Sequence, residues 1–362
     1  MTPFNPHNLP LDRLNWEQFV HLIGKANAEV ARFDGLIQSM PNPSLLLSPL
    51  TTQEAVLSSK IEGTQASLEE IYQFEAKPDK ESKKYDDIQE VLNYRKAMYF
   101  AIKELNKIPF CLRLLKETHE ILLSGVRGSN KDRGNFRTTQ VFIGKPGANI
   151  QEATYIPPAP NNLDKYLSNL EQYFHYEEKD ALVQLAIIHA QFEIIHPFLD
   201  GNGRMGRIIL PLFLYNKGIL SSPMLYLSAY FERNREEYYG NLLNISKNND
   251  WESWITFFLK ATIEQSKDNI KRAKAIHALY EEKKSKITDL TRSRFAIKAL
   301  DFLFSNPIFN SSSFTKESKI PRASANRILD SLQKGRVIKI INKGSGNKPS
   351  EYVFPKLFNI IK

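Results

Sequence analysis

Apolar residues recur at three- and four-residue spacing through most of the first 280 positions. This predicts helices over 16–40, 85–105, 112–123, 163–176, 181–195, 208–215 and 251–280. One stretch departs from that period. Thr138 to Gly144 is β-prone, Lys145-Pro146-Gly147-Ala148-Asn149 is turn chemistry, and Ala153 to Ile156 is a second short run closed by Pro157-Pro158. That pattern predicts a hairpin on the surface of a mainly α-helical bundle. The lysine-rich 281–286 reads as a helix end or a linker, and the period restarts near Arg292. Helices are expected at 294–305, at 313–319 and, opened by Pro321, at 322–333, where Ala323, Ile328, Leu329 and Leu332 form one buried face. Strands follow at 337–341 and 351–354, around the glycine-rich tip Lys343-Gly344-Ser345-Gly346-Asn347-Lys348. Three helices and a basic hairpin make the winged-helix order. The expected division is an N-terminal helical region over 1–110, a central unit over 111–280 and a winged-helix unit over 281–362.

With 362 residues, 42% of them hydrophobic, the chain is long enough for one large core and a satellite domain. No basic stretch leads into an apolar run at the N-terminus, and no segment is apolar for the length a bilayer needs. A soluble cytoplasmic protein without a membrane partner is therefore expected. Cys111 stands alone, which excludes an internal disulfide framework and fits a reducing compartment. The net charge of +9 is unevenly placed. Residues 283–362 carry 17 basic against 5 acidic side chains, and the rest carries 32 against 35. Such a tail suits a polyanion, so DNA is a candidate partner.

The densest chemistry lies at His196-Pro197-Phe198-Leu199-Asp200-Gly201-Asn202-Gly203-Arg204-Met205-Gly206-Arg207. Pro197 must end the preceding helix, because its ring clashes with the previous turn and lacks a donor. Asp200 to Gly203 then form a loop whose glycines let the backbone approach a ligand. The helix restarting after it points free N–H groups and its dipole back into that loop, which makes an anion cradle. Arg204 and Arg207, three residues apart, can offer forked donors to phosphate oxygens. Asp200 supplies a hard oxygen for a magnesium ion that bridges phosphates, and His196 titrates in the range suited to accepting a hydroxyl proton. Gly201 to Gly206 also satisfies the glycine pattern of dinucleotide-binding folds. That pattern requires a strand ahead of the glycines, and here a helix precedes them.

The segment resembles the Fic family motif, His-Pro-Phe-x-Asp/Glu-Gly-Asn-Gly-Arg-x-x-Arg, at every specified position. The resemblance implies a Fic-type helical bundle with a small β-hairpin flap, joined here to the C-terminal winged helix. It implies transfer of AMP from ATP to a Ser, Thr or Tyr hydroxyl of a target protein or of the chain itself, with His196 as general base. Asp200 would hold Mg2+, Asn202 and the Gly203 amide would meet the α-phosphate region, and Arg204 and Arg207 the outer phosphates. Gly201, Met205 and Gly206 complete that nucleotide-binding segment. In the family the hairpin ahead of the motif is a flap that aligns the target by strand addition, which places Ile143, Gly144 and Lys145 along the nucleotide or the target. Glu232 to Tyr239 also resembles family sequences in which an aromatic residue encloses adenine, and Tyr238 is the candidate. Doc-like relatives carry lysine where Gly203 stands, so the glycine points to AMP transfer. Homodimers are common among such relatives, which makes self-association a further expectation.

Ser58-Ser59-Lys60-Ile61-Glu62-Gly63 resembles the family's inhibitory motif, Ser/Thr-x-x-x-Glu-Gly/Asn. Glu62 brought to Arg207 would occupy the space and charge that the γ-phosphate needs. Ser58, Glu62 and Gly63 are thus read as a brake, with Glu62 also at the edge of the ATP site. Some relatives with this glutamate remove AMP as well. His189, His119 and His277, on helical faces without metal-ligand spacing, are expected to be structural, and Trp251, Trp254, Phe257 and Phe258 to be core. Arg322, Ser324, Asn326, Arg327 and Lys334 would face DNA from the third tail helix, with Lys343 and Lys348 on phosphates. A rival reading is a DNA-binding transcriptional regulator whose Fic portion senses nucleotide.

Overall fold

The computed structural model describes residues 2–126, 131–145, 147–345 and 348–362. In chain order its elements are α1 (Val20–Ser39), α2 (Pro43–Leu46), α3 (Ser48–Ile61), α4 (Leu68–Ala76), α5 (Tyr85–Glu104), α6 (Leu112–Leu122), α7 (Leu163–Phe174), α8 (Ala181–Ile195), α9 (Asn202–Asn216), α10 (Ser228–Arg233), α11 (Arg235–Asn248) and α12 (Trp251–Thr291). There follow α13 (Ala296–Ser305), β1 (Ile308–Asn310), α14 (Ser311–Ser318), α15 (Arg322–Lys334), β2 (Lys339–Asn342), β3 (Glu351–Val353) and α16 (Pro355–Ile361). Among the described residues no helix is long and apolar enough to cross a membrane.

The bundle is organised around α8. Its sequence is apolar on every side, and such a helix is stable only when neighbours cover its whole circumference. Here α1, α7, α9, α11 and α12 do so. Asp180 starts it by accepting the N–H groups of Leu182 and Val183 at 3.0 and 2.9 Å, and Pro197 ends it. Trp254 of α12 enters this core and spends its indole N–H on the Ala186 carbonyl at 2.8 Å.

Three expectations change. The lysine-rich 281–286 is neither linker nor helix end but lies inside α12, because Tyr280, Lys283 and Ile287 continue the buried stripe. The helix stops only at Arg292, in the left-handed region at φ 44°. Among the described residues the flap over 137–158 pairs its legs through one antiparallel bridge, Ile143 to Tyr155, rather than a full hairpin ladder. The Ile143 N–H donates to Tyr155 O at 2.8 Å, and a 3-10 turn over Ile150–Glu152 occupies the return leg. Finally, α9 begins at Asn202, inside the loop expected over 200–203, because Gly201 turns the chain at φ 78°. Pro146 of the expected flap turn, and Gly346 and Asn347 of the expected tip, fall outside the described residues.

The carboxy-terminal residues form a three-stranded antiparallel sheet of order β1-β3-β2 beside α13, α14 and α15. β1 and α16 were not anticipated. The buried face of α15 uses Ala325, Ile328, Leu329 and Leu332, while Ala323 is exposed. This unit does not hang free: β1 lies beside α4, α13 against α2 and α3, and α16 against α3. Asn310 donates its side-chain amide to Ala76 O, and Gln53 donates to Lys362 O at 3.4 Å.

Candidate active site

His196 caps α8 in the left-handed region, at φ 50° and ψ 61°. Its imidazole Nδ1 sits 3.3 Å from the Glu193 carbonyl, which can only accept, so Nδ1 carries the proton and Nε2 keeps its lone pair. Burial pushes the His196 pKa down to about 4, so the ring is neutral at pH 7. The loop behind it is held rigidly. Asn202 accepts the Phe198 N–H at 2.9 Å and donates back to Phe198 O at 2.8 Å, which commits its side chain to the loop. His119 stacks on Phe198 with ring centroids 3.7 Å apart. It accepts the Gly134 N–H at Nδ1 and donates Nε2–H to the Asp200 carbonyl, both at 2.9 Å.

One cavity of about 700 Å³ gathers much of the expected set: Glu62, Ile143, Gly144, Lys145, His196, Gly203, Arg207 and Tyr238 all line it. Ser58, Gly63, Asp200, Gly201, Asn202, Arg204, Met205 and Gly206 stand outside its lining. Met205 is core, and Arg204 is buried, 3.3 Å from Glu90 and 3.4 Å from Asp200. Gly201 lies against His119 and Leu123.

Arg207 is 1% exposed and is gripped by α3. Its Nε donates to Ser58 Oγ and its Nη2 to Ser58 O, each at 2.8 Å, and Nη2 also meets Glu62 Oε1 at 2.6 Å. Burial works against the charge on Arg207, but Glu62, Tyr238, Tyr239 and Glu193 together raise its pKa and keep it cationic. Its Nη1 is buried and has no hydrogen-bond partner among the described residues. Gly203 makes the close pair possible, since a Cβ there would overlap the Glu62 carboxylate and lie 3.0 Å from Arg207 Nη1. Glu62 itself closes α3, and Gly63 turns away at φ 100°.

Tyr238 is buried, and its hydroxyl donates to His189 Nε2 at 2.9 Å while His189 Nδ1–H reaches Gly206 O at 3.0 Å. Burial pushes the His189 pKa down to about 3, as expected of a structural histidine. Tyr239, 42% exposed on the same cavity, is the more accessible ring and was not singled out from the sequence. Glu193 was also missed. Its carboxyl occupies the notch left by Gly206, one oxygen has no hydrogen-bond partner among the described residues, and burial raises its pKa to about 8. Arg235 holds the end of α3 by donating to Ile61 O at 2.6 Å.

Asp200 keeps its Oδ2 3.2 Å from Lys131 Nζ and is 26% exposed. Among the described residues no group of three or more His, Cys, Asp or Glu side chains forms a cage. A single accessible carboxylate fits magnesium, which takes one or two protein oxygens and completes its shell with phosphate and water.

The fold and motif are those of the Fic/DOC family, to which the chain belongs. The profile of the Fic/DOC family N-terminal region matches residues 20–103 and that of the Fic/DOC family residues 109–214. The chain is 27% identical over 212 residues to a probable protein adenylyltransferase of Aquifex aeolicus, covering 56% of this chain and 59% of that protein. It is 30% identical over 158 residues to the protein adenylyltransferase fic-1 of Caenorhabditis briggsae, covering 40% and 27%. With the protein adenylyltransferase Fic of Drosophila grimshawi it shares 25% identity over 186 residues, 50% of this chain and 35% of the other. The chain thus spans 27% to 59% of the length of these relatives. In fold, a Fic family crystal structure from Desulfovibrio desulfuricans G20 matches with a TM-score of 0.59 over 98% of both chains at 20% identity.

Proposed function

We propose that the protein transfers AMP from ATP to a protein hydroxyl and that Glu62 holds it inactive at rest. The carrying observation is the shared cavity, which joins a neutral His196 with a free Nε2 to the start of α9 at Gly203 and to the cation of Arg207. In this reading His196 Nε2 takes the proton of a Ser, Thr or Tyr hydroxyl as its oxygen bonds to the α-phosphorus. The bond to the β-phosphate oxygen breaks, and pyrophosphate leaves. Positioning and charge neutralisation supply most of the acceleration. Gly203 and the α9 N-terminus face the phosphates, and Arg207 takes the outer ones once Glu62 withdraws. Ile143 and Lys145 on the flap align the target segment, with Tyr238 and Tyr239 beside the base. Asp200 would hold Mg2+, which when bound neutralises phosphate charge.

The test is intact mass after incubation with ATP and magnesium. The Glu62→Gly variant is expected to gain AMP, on itself or on an added target, and Glu62→Gly with His196→Ala is expected to gain none. No adduct on any protein removes the transferase reading.

An added role rests on the carboxy-terminal unit, which we read as a winged helix over its helix-strand-helix-helix-strand-strand order. Arg322, Asn326, Arg327 and Lys334 on α15, with Lys339, Lys343 and Lys348 beyond it, are all exposed. That face suits duplex DNA.

A further inference from the structure

We infer that Arg137, at the foot of the flap, is the positioning residue that sets His196 and ties the flap to it. This inference deepens the transferase reading and rests on His196 being its base. Arg137 is 2% exposed and among the described residues has no carboxylate partner; it spends itself on carbonyls instead. Its Nε donates to His196 O at 2.8 Å and its Nη2 to Ile195 O at 3.4 Å, the carbonyls of the cap and of the last residue of α8. The same guanidinium holds both legs of the flap, Thr139 O at 3.2 Å through Nη1 and Pro158 O at 2.6 Å through Nη2. Its backbone N–H donates to Pro197 O at 2.8 Å. Three contacts therefore converge on 195–197, the segment that orients the imidazole, and two more fasten the flap to it.

The arrangement answers two physical problems. A histidine at φ 50° is strained relative to ordinary helix or strand, and it persists only where its surroundings fix it. The carbonyls at a helix C-terminus carry partial negative charge without partners, which is where a buried cation is best tolerated. Only a planar fork with five donors reaches both α8 carbonyls and both flap legs together; a lysine ammonium cannot. Arg137 also faces the ring as a cation and favours its neutral form. The other groups around His196 are the carboxylates of Glu62 and Asp200, which favour protonation, and the Glu193 carbonyl and carboxyl on α8. Tyr155 fastens the return leg of the flap independently, donating to Ile194 O at 2.8 Å.

The experiment compares Arg137→Gln and Arg137→Lys in the Glu62→Gly background. It measures AMP incorporation, ATP affinity by calorimetry, and the His196 ring titration by NMR. A displaced base costs on the order of 100-fold in kcat, with ATP affinity within about threefold of the parent. Arg137→Gln removes the cation as well, so the His196 midpoint moves upward; Arg137→Lys keeps the cation and loses only the fork. Parent-like kcat in both variants overturns the inference, and so does a kcat loss matched by an equal loss of ATP affinity. Should Arg137→Gln not fold, Arg137→Lys decides alone by its kcat. If the parent transfers no AMP, the transferase reading fails separately. The inference is then judged by the ring titration, and an unmoved midpoint in Arg137→Gln overturns it.

Discussion

Removing the Glu62 carboxylate should weaken the resting protein and strengthen its hold on ATP at the same time. Arg207 makes three hydrogen bonds, two to Ser58 and one to Glu62, so Glu62→Gly deletes one and leaves two from the same helix. A hydrogen bond between charged groups contributes about 1.5–3 kcal/mol. Glu62 is 31% exposed, and water screening places this pair at the lower end, about 1.5 kcal/mol. The ligand-free variant should therefore melt lower by on the order of 2–4 °C. On the proposed function the same contact breaks before a phosphate reaches Arg207, so its removal should tighten ATP binding roughly tenfold. Both quantities can be read in the His196→Ala background, which prevents turnover, by scanning calorimetry and isothermal titration. Glu62→Gln, which keeps an acceptor oxygen without charge, should fall between. A variant that melts at the wild-type temperature, or binds ATP no better, would show that the Glu62 contact restrains nothing.

Three further outcomes follow from the geometry. Gly203→Ala should cost about 1–3 kcal/mol in the wild type, where the new Cβ meets the Glu62 carboxylate, and little or nothing beside Glu62→Gly; equal costs in a denaturation cycle would refute the overlap. Glu193, raised by burial to about 8, binds a proton in the fold that the unfolded chain has already lost, so its contribution is present at low pH and fades as pH climbs from 4.5 through 8. Glu193→Gln should then narrow the drop in unfolding free energy between pH 6 and pH 9, and an unchanged drop would reject that proton. Charge reversal at exposed Arg327 in the full chain should weaken duplex DNA binding and flatten its salt dependence, whereas no binding even at low salt would leave a protein partner as the better fit for that face.

Much of this was legible in the sequence because local signals dominate there. α8 covers the 181–195 read from the chain and ends at Pro197, and the glycines flanking Asn202 mark the turn that opens α9. The misses have nonlocal causes. β1 is three residues long and exists only because β3 lies beside it. α12 was cut short at a charged stretch because nothing in the sequence says that Lys283 is buried. That the Asn202 amide bonds to Phe198 on both sides of the loop is likewise invisible in the sequence. Arg137 escaped notice because its partners are carbonyls, which every residue has. Glu193 and Gly206 become a pair only where α8 and α9 cross.

α12 runs unbroken for 41 residues, about 60 Å of rod shared by the bundle that holds the cavity and the basic unit. A rod fixes phase as well as distance. One residue inserted near Lys284 would turn everything beyond it by about 100° and swing α13 away from α2 and α3. Seven inserted residues would nearly restore the facing while moving the far unit about 10 Å along the axis. The helix therefore works as a keyed shaft whose register decides whether the carboxy-terminal unit can rest on the segment that carries Glu62.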